Sequence, residues 1–94
     1  MKLSWTPRAR RDLRELIAFI AEDSLQAAEM VAERILKAAE SLPQFPRSGR
    51  IGRVKGTRER VIGRTPYLLV YRVVSGRVRI LRVYHSARKW PSQF

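Results

Sequence analysis

His85 is the only histidine among 94 residues, and its position matters more than its type. It lies in the run RVRILRVYHSARKWP, residues 77–91, where Val78, Ile80 and Val83 carry strand-favouring side chains and Trp90-Pro91 imposes a stop. Arg77, Arg79, Arg82, Arg88 and Lys89 accompany it without an acidic residue. A strand ending in an imidazole within such a field predicts an electropositive site for an anionic partner. Glu59 is the only carboxylate between positions 42 and 94, against thirteen lysines and arginines. Histidine and glutamate both serve as general acids or bases. Each also has an ordinary structural use, the histidine as a capping or packing residue and the glutamate as partner to a nearby arginine.

The charge is as unevenly placed as the chemistry. Residues 1–41 hold seven basic and seven acidic side chains, so the whole net charge of +12 belongs to residues 42–94. Solvation alone does not require that asymmetry. The length predicts a single domain over residues 1–94 with one core and no disulfide, because cysteine is absent. Absence of cysteine excludes thiol catalysis and cysteine-ligated metals, and fits a reducing cytoplasm. No apolar run approaches the roughly 18 residues that span a bilayer, so no membrane association is expected.

The elements that must position these residues are legible from periodicity. Residues 2–6 read as a short strand with Leu3 and Trp5 on one side; Thr6 then offers an N-cap before Pro7 at the first helical position. Ala9, Leu13, Leu16, Ile17 and Ile20 form one helical stripe, with Arg10, Arg11, Asp12, Arg14 and Glu15 expected to face away. Asp23 or Ser24 caps a second helix, whose stripe of Ala28, Val31, Ile35, Ala38, Ala39 and Leu42 ends at Pro43. The two helices form an αα-hairpin.

Residues 43–57, PQFPRSGRIGRVKGT, predict a basic loop with no regular element, in which Arg47, Arg50, Arg53 and Lys55 face an anion and the glycines allow close approach. It lacks the closing Lys-Ser or Lys-Thr of a phosphate-binding P-loop. Residues 58–62 and 67–74 read as strands, and Ser75-Gly76 turns the second into the strand beginning at Arg77. Unbroken pairing from Val74 with Arg77 would set Tyr71 beside Ile80, Leu69 beside Arg82 and Tyr67 beside Tyr84. Tyr84 and His85 then point to opposite faces. Both faces of this hairpin carry apolar side chains and the helices cover one, so an exposed apolar second face for a protein partner is expected, subject to a bulge near Leu81.

Leu3-Ser4-Trp5-Thr6 with Ala9, Asp12-Leu13, Leu16 and Phe19-Ile20 resembles the opening strand and first helix of the RelE/ParE superfamily of type II toxins. Pro46, Gly49-Arg50, Gly56 and Arg58-Glu59 are similar to its central loop; Tyr67, Leu69, Tyr71, Val83, His85, Arg88 and Trp90-Pro91 are similar to its last two strands. The resemblance implies an α+β fold, β-α-α-β-β-β, in which a short N-terminal strand and an αα-hairpin pack on a twisted antiparallel β-sheet. It also implies neutralisation by an acidic antitoxin in a hetero-oligomer of higher order.

Superfamily members divide between endoribonucleases that cut messenger RNA on the ribosome and inhibitors of DNA gyrase. Cleaving RNA without metal or cofactor needs a base for the 2′-hydroxyl, cations for the phosphorane and an acid for the leaving oxygen. The candidates are Glu59 and His85 as acid and base in either order, Arg58, Arg64 and Arg82 on the phosphate, and Tyr84 to stack a base or donate a proton. Arg47, Arg50, Arg53, Lys55, Arg58, Arg88 and Lys89 form the nucleic-acid-binding set. One Glu and one His amid thirteen cations tilt the sequence reading toward RNA. Ribosome-dependent members, however, often carry several loop lysines and a catalytic residue at the C-terminus, whereas here the loop has Lys55 alone and the chain ends Ser92-Gln93-Phe94. Gyrase inhibition needs only a binding surface, which Arg72, Arg77, Arg79, Arg82, Arg88 and Lys89 supply with Trp90 as the aromatic anchor. A plain basic nucleic-acid-binding domain is the third reading; it leaves the second apolar face without a purpose.

Overall fold

Thr6 joins the first two elements to the rest of the molecule. The computed structural model describes residues 1–87 and 89–94, and in it Thr6 comes after β1 (Lys2–Trp5) and caps α1 (Pro7–Asp23). Its Oγ1 accepts the Ala9 N–H at 3.0 Å and donates to the Leu81 carbonyl at 2.9 Å. Pro7, having no N–H, fits the first helical turn. Ser24 alone separates α1 from α2 (Leu25–Ser41): its N–H bonds to the Ile20 carbonyl and its Oγ accepts the Ala27 N–H at 3.1 Å.

The remaining elements are β2 (Arg50–Ile51), β3 (Arg58–Val61), β4 (Tyr67–Val74) and β5 (Arg77–His85), in one sheet of order β1-β5-β4-β3-β2. The neighbours are antiparallel except β1, which runs parallel to β5. The α+β fold with its helical hairpin agrees with the sequence reading. The expectation that residues 43–57 hold no regular element is corrected, because β2 lies there. It pairs Arg50 with Glu59 and Ile51 with Arg58.

Tyr71 organises the face under the helices. It is fully buried beside Leu69, Val78, Ile80 and Val83, against Ala9 of α1 and Ile35, Ala39 and Leu42 at the α2 end. A buried phenol needs partners for its hydroxyl. Tyr71 donates to the Pro46 carbonyl at 2.7 Å and accepts the Gly49 N–H at 3.0 Å. The aromatic ring of β4 thereby anchors the loop that carries the cations. Gly49 is required there because a Cβ would lie 2.6 Å from the Tyr71 hydroxyl.

The β4–β5 register shifts midway. Val74↔Arg77 through Tyr71↔Ile80 match the simple alignment; then Val70 pairs with Arg82, Leu69 with Val83, Leu68 with Tyr84 and Tyr67 with His85. The bulge, at Leu81, corrects the expected pairs Leu69–Arg82 and Tyr67–Tyr84. It turns Val83 into the helix-side core and sends Tyr84 to the opposite face. There Tyr84, Leu68 and Val70 are buried under Trp90. The expected exposed apolar face is therefore corrected as well: the chain's own C-terminal segment covers its apolar half. The more open half carries Arg72, Arg77 and Arg79.

Candidate functional site

Glu59 points to the sheet face away from the helices and is 2% exposed. A buried carboxylate needs compensation for lost hydration. Its Oε1 accepts Arg50 Nη2 at 2.9 Å and Nε at 3.2 Å; its Oε2 accepts the Arg53 backbone N–H at 2.8 Å and Nε at 3.2 Å. Burial pushes the Glu59 carboxyl toward neutrality, but the bonds from Arg53 and Arg50 together outweigh it and hold the group below its ordinary value. The result is an ionised and weakly basic carboxylate.

Arg53 extends the cluster to the C-terminal segment. Its guanidinium lies 3.7 Å from the centre of the Trp90 ring, a close cation–π contact. Trp90 meets Tyr84 edge-on at 4.9 Å, and Phe94 closes on Tyr84 at 5.7 Å. Between this segment and α1 lies a pocket of about 650 Å³, with Leu81, Tyr84, Trp90 and Phe94 in its wall and Arg8, Arg82 and Lys89 among its cations.

Arg82 Nη1 donates to the Tyr84 hydroxyl at 3.1 Å. Its other nitrogens are committed to Asp12, Nε to Oδ2 at 2.7 Å and Nη2 to Oδ1 at 3.0 Å. Asp12 also accepts the Val83 N–H at 3.0 Å, so it seals β5 where β1 no longer pairs with it. The expectation that Asp12 faces solvent is corrected: it is 8% exposed. Its place was visible in the spacing, since Ala9, Asp12, Leu13 and Leu16 share one helical face.

His85 lies elsewhere. It is exposed at the end of β5, edge-on to Tyr67 at 5.6 Å, and its Nδ1 accepts the Ala87 N–H at 3.1 Å. It shares a shallow pocket with Asp12, Glu15, Phe19 and Tyr67 on the helix side. Thus Glu59, Arg53, Arg82, Tyr84 and Trp90 gather on one face while His85 stands behind the sheet. Arg64 occupies the exposed β3–β4 turn with φ 62° and joins neither group. Among the other expected cations, Arg58 braces the loop by donating to the Gly49 carbonyl at 2.9 Å. Arg47 and Lys55 are exposed, Lys89 lines the large pocket, and Arg88 lies outside the described residues. Sequence reasoning missed Asp12 and Phe94 as parts of this arrangement.

Comparison with known proteins gives this arrangement its context. The family model described as the ParE toxin of type II toxin-antitoxin systems, parDE, matches residues 3–90. The chain belongs to the ParE toxin family. This toxin is 44% identical over 90 residues to the putative toxin Y4kP of Sinorhizobium fredii, covering 96% of this chain and 93% of that protein. It is 37% identical over 84 residues to the toxin RelE2 of Caulobacter vibrioides, covering 89% and 93%. Its fold matches a chain of the chromosomal ParDE system from P. aeruginosa with a TM-score of 0.81 at 26% identity, covering 90% of this toxin and 95% of that chain. The RelBE2 toxin-antitoxin complex from Mycobacterium tuberculosis matches with a TM-score of 0.58 at 30% identity, covering 93% and 92%. Among the described residues no helix of the toxin is long and apolar enough to cross a membrane.

Proposed function

We propose that this toxin arrests growth by binding DNA gyrase in the cytoplasm, with no chemistry of its own, and is neutralised by an acidic antitoxin. The observation that carries the reading is the separation of Glu59 and His85, the only carboxylate and the only histidine in the basic half. Glu59 is buried with both oxygens occupied by arginines, and His85 lies on the other face of the sheet. A single phosphodiester cannot reach a base and an acid placed in this way. Arg82, the central cation of the RNA reading, is engaged bidentately by Asp12. The higher structural similarity to the ParDE chain than to RelBE2 supports the same direction.

One observation favours ribosome-dependent RNA cleavage as the second reading: Arg82 and the Tyr84 hydroxyl adjoin the large pocket. Purified toxin is expected to abolish supercoiling by gyrase and to leave messenger RNA intact on translating ribosomes. Undiminished supercoiling at excess toxin refutes the proposal, and codon-linked cleavage establishes the second reading. His85→Ala, an exposed change, is expected to retain full growth inhibition.

A further inference from the structure

The open face of the sheet carries a second basic feature, distinct from the Glu59 cluster. Arg72 on β4 is directly opposite Arg79 on β5, and Arg77 lies on the same face at alternate spacing. With Ser4, Val74, Ser75 and Leu81 they line a depression of about 360 Å³ at the β4–β5 turn. Like charges directly opposed across two strands destabilise a sheet. No carboxylate relieves them, since none of the three forms an ion pair among the described residues. Arg72 Nε is moreover buried with no hydrogen-bond partner, which is costly for a charged donor. An uncompensated arginine triad with a buried unmatched donor is a site whose counter-ion comes from outside.

Resting on the gyrase reading, we propose that Arg72, Arg77 and Arg79 bind the phosphate backbone of duplex DNA, the segment that gyrase holds. Guanidiniums match the oxygens of phosphate in a forked geometry, and three of them answer a line of charges better than one carboxylate. Alternate strand residues lie roughly 6.6 Å apart, so Arg77 and Arg79 track a run of phosphates rather than a single anion. The Ser4 hydroxyl supplies a further donor at the rim.

The test is fluorescence anisotropy of a labelled DNA duplex with the toxin across a salt series, for wild type, Arg72→Gln/Arg79→Gln, and Arg10→Gln/Arg14→Gln as a charge-matched control on the exposed face of α1. The triad variant is expected to bind roughly tenfold or more weakly, with a log–log salt slope smaller by about 2, while the control stays close to wild type. Equal losses in both variants, or none in the triad variant, overturn the proposal. If the double variant does not fold, Arg77→Gln alone carries the test, with the slope reduced by about 1. Weakened antitoxin binding with unaltered DNA affinity would assign the triad to an acidic polypeptide and equally refute it. Supercoiling assays separate the two levels. Wild type that binds DNA through the triad yet spares gyrase refutes the gyrase reading alone. A triad variant that still inhibits gyrase as wild type does refutes the DNA site alone.

Discussion

Two carboxylates decide how the cations of this toxin are used. Asp12 takes two nitrogens of Arg82 and the Val83 N–H, and both members of the ion pair are nearly buried. Breaking such a pair leaves a guanidinium without its counter-ion, so Asp12→Ala is expected to lower stability by roughly 3–5 kcal/mol. In thermal melts that corresponds to a fall of more than about 12 °C for a chain this short. Glu59 gives a pH-dependent counterpart. Its folded pKa is depressed, so the unfolded chain binds its proton first on acidification. The contribution is whole above the unfolded value of about 4.3 and is lost as pH falls through the lower folded value. Melting temperature measured from pH 7 to pH 2 is expected to show this acid loss in wild type and to lack that component in Glu59→Gln. Glu59→Gln itself should cost about 1–3 kcal/mol at pH 7, limited because Arg50 and Arg53 are exposed enough to rehydrate.

Among the elements, the β4–β5 hairpin governs both faces. Its turn places Ser75 at φ 50° and Gly76 at φ 72°, the left-handed geometry of a type I′ turn. Serine is a weak choice at the first position, whereas asparagine tolerates it well. Ser75→Asn is expected to raise stability by about 0.5 kcal/mol in chemical denaturation, with the slope of the transition unchanged. The C-terminal segment is the second decisive element. Trp90 and Phe94 shield Leu68, Val70 and Tyr84, and Arg53 closes over the indole. Truncation after Ala87 is expected to expose that cluster, detected as increased binding of a hydrophobic dye by an otherwise folded sheet.

For the molecule as a whole, the neutral first half and the cationic second half share one sheet, in which β1 of the first pairs with β5 of the second. All thirteen cations of residues 42–94 belong to the loop, the sheet strands and their turns, or the C-terminal segment. On the proposed gyrase reading, inhibition and antitoxin binding by the purified toxin should therefore weaken steeply with salt, more than loss of hydrophobic contact alone would allow. Supercoiling assays and antitoxin titrations between low and physiological ionic strength check this.

The sequence alone determined the element order apart from β2, the Thr6-Pro7 cap, a second cap at Asp23 or Ser24, the helical stripes apart from Asp12, and the β4–β5 turn, because each depends on local propensity and spacing within a few residues. It also localised the charge. Tertiary structure alone decided which cations are neutralised, since the partners Asp12 and Arg82 stand 70 residues apart and meet only when α1 crosses the edge of β5. It likewise decided the faces of the sheet: one extra residue at Leu81, where blurred alternation admits a bulge in the sequence, inverts the facing of Arg82 through His85, and only the paired strands settle that the slip occurs. The fate of Glu59 and the cover over Tyr84 depend on a loop and a C-terminal segment with no periodicity to read. Their positions are set by a buried carboxylate and an indole finding partners across the fold.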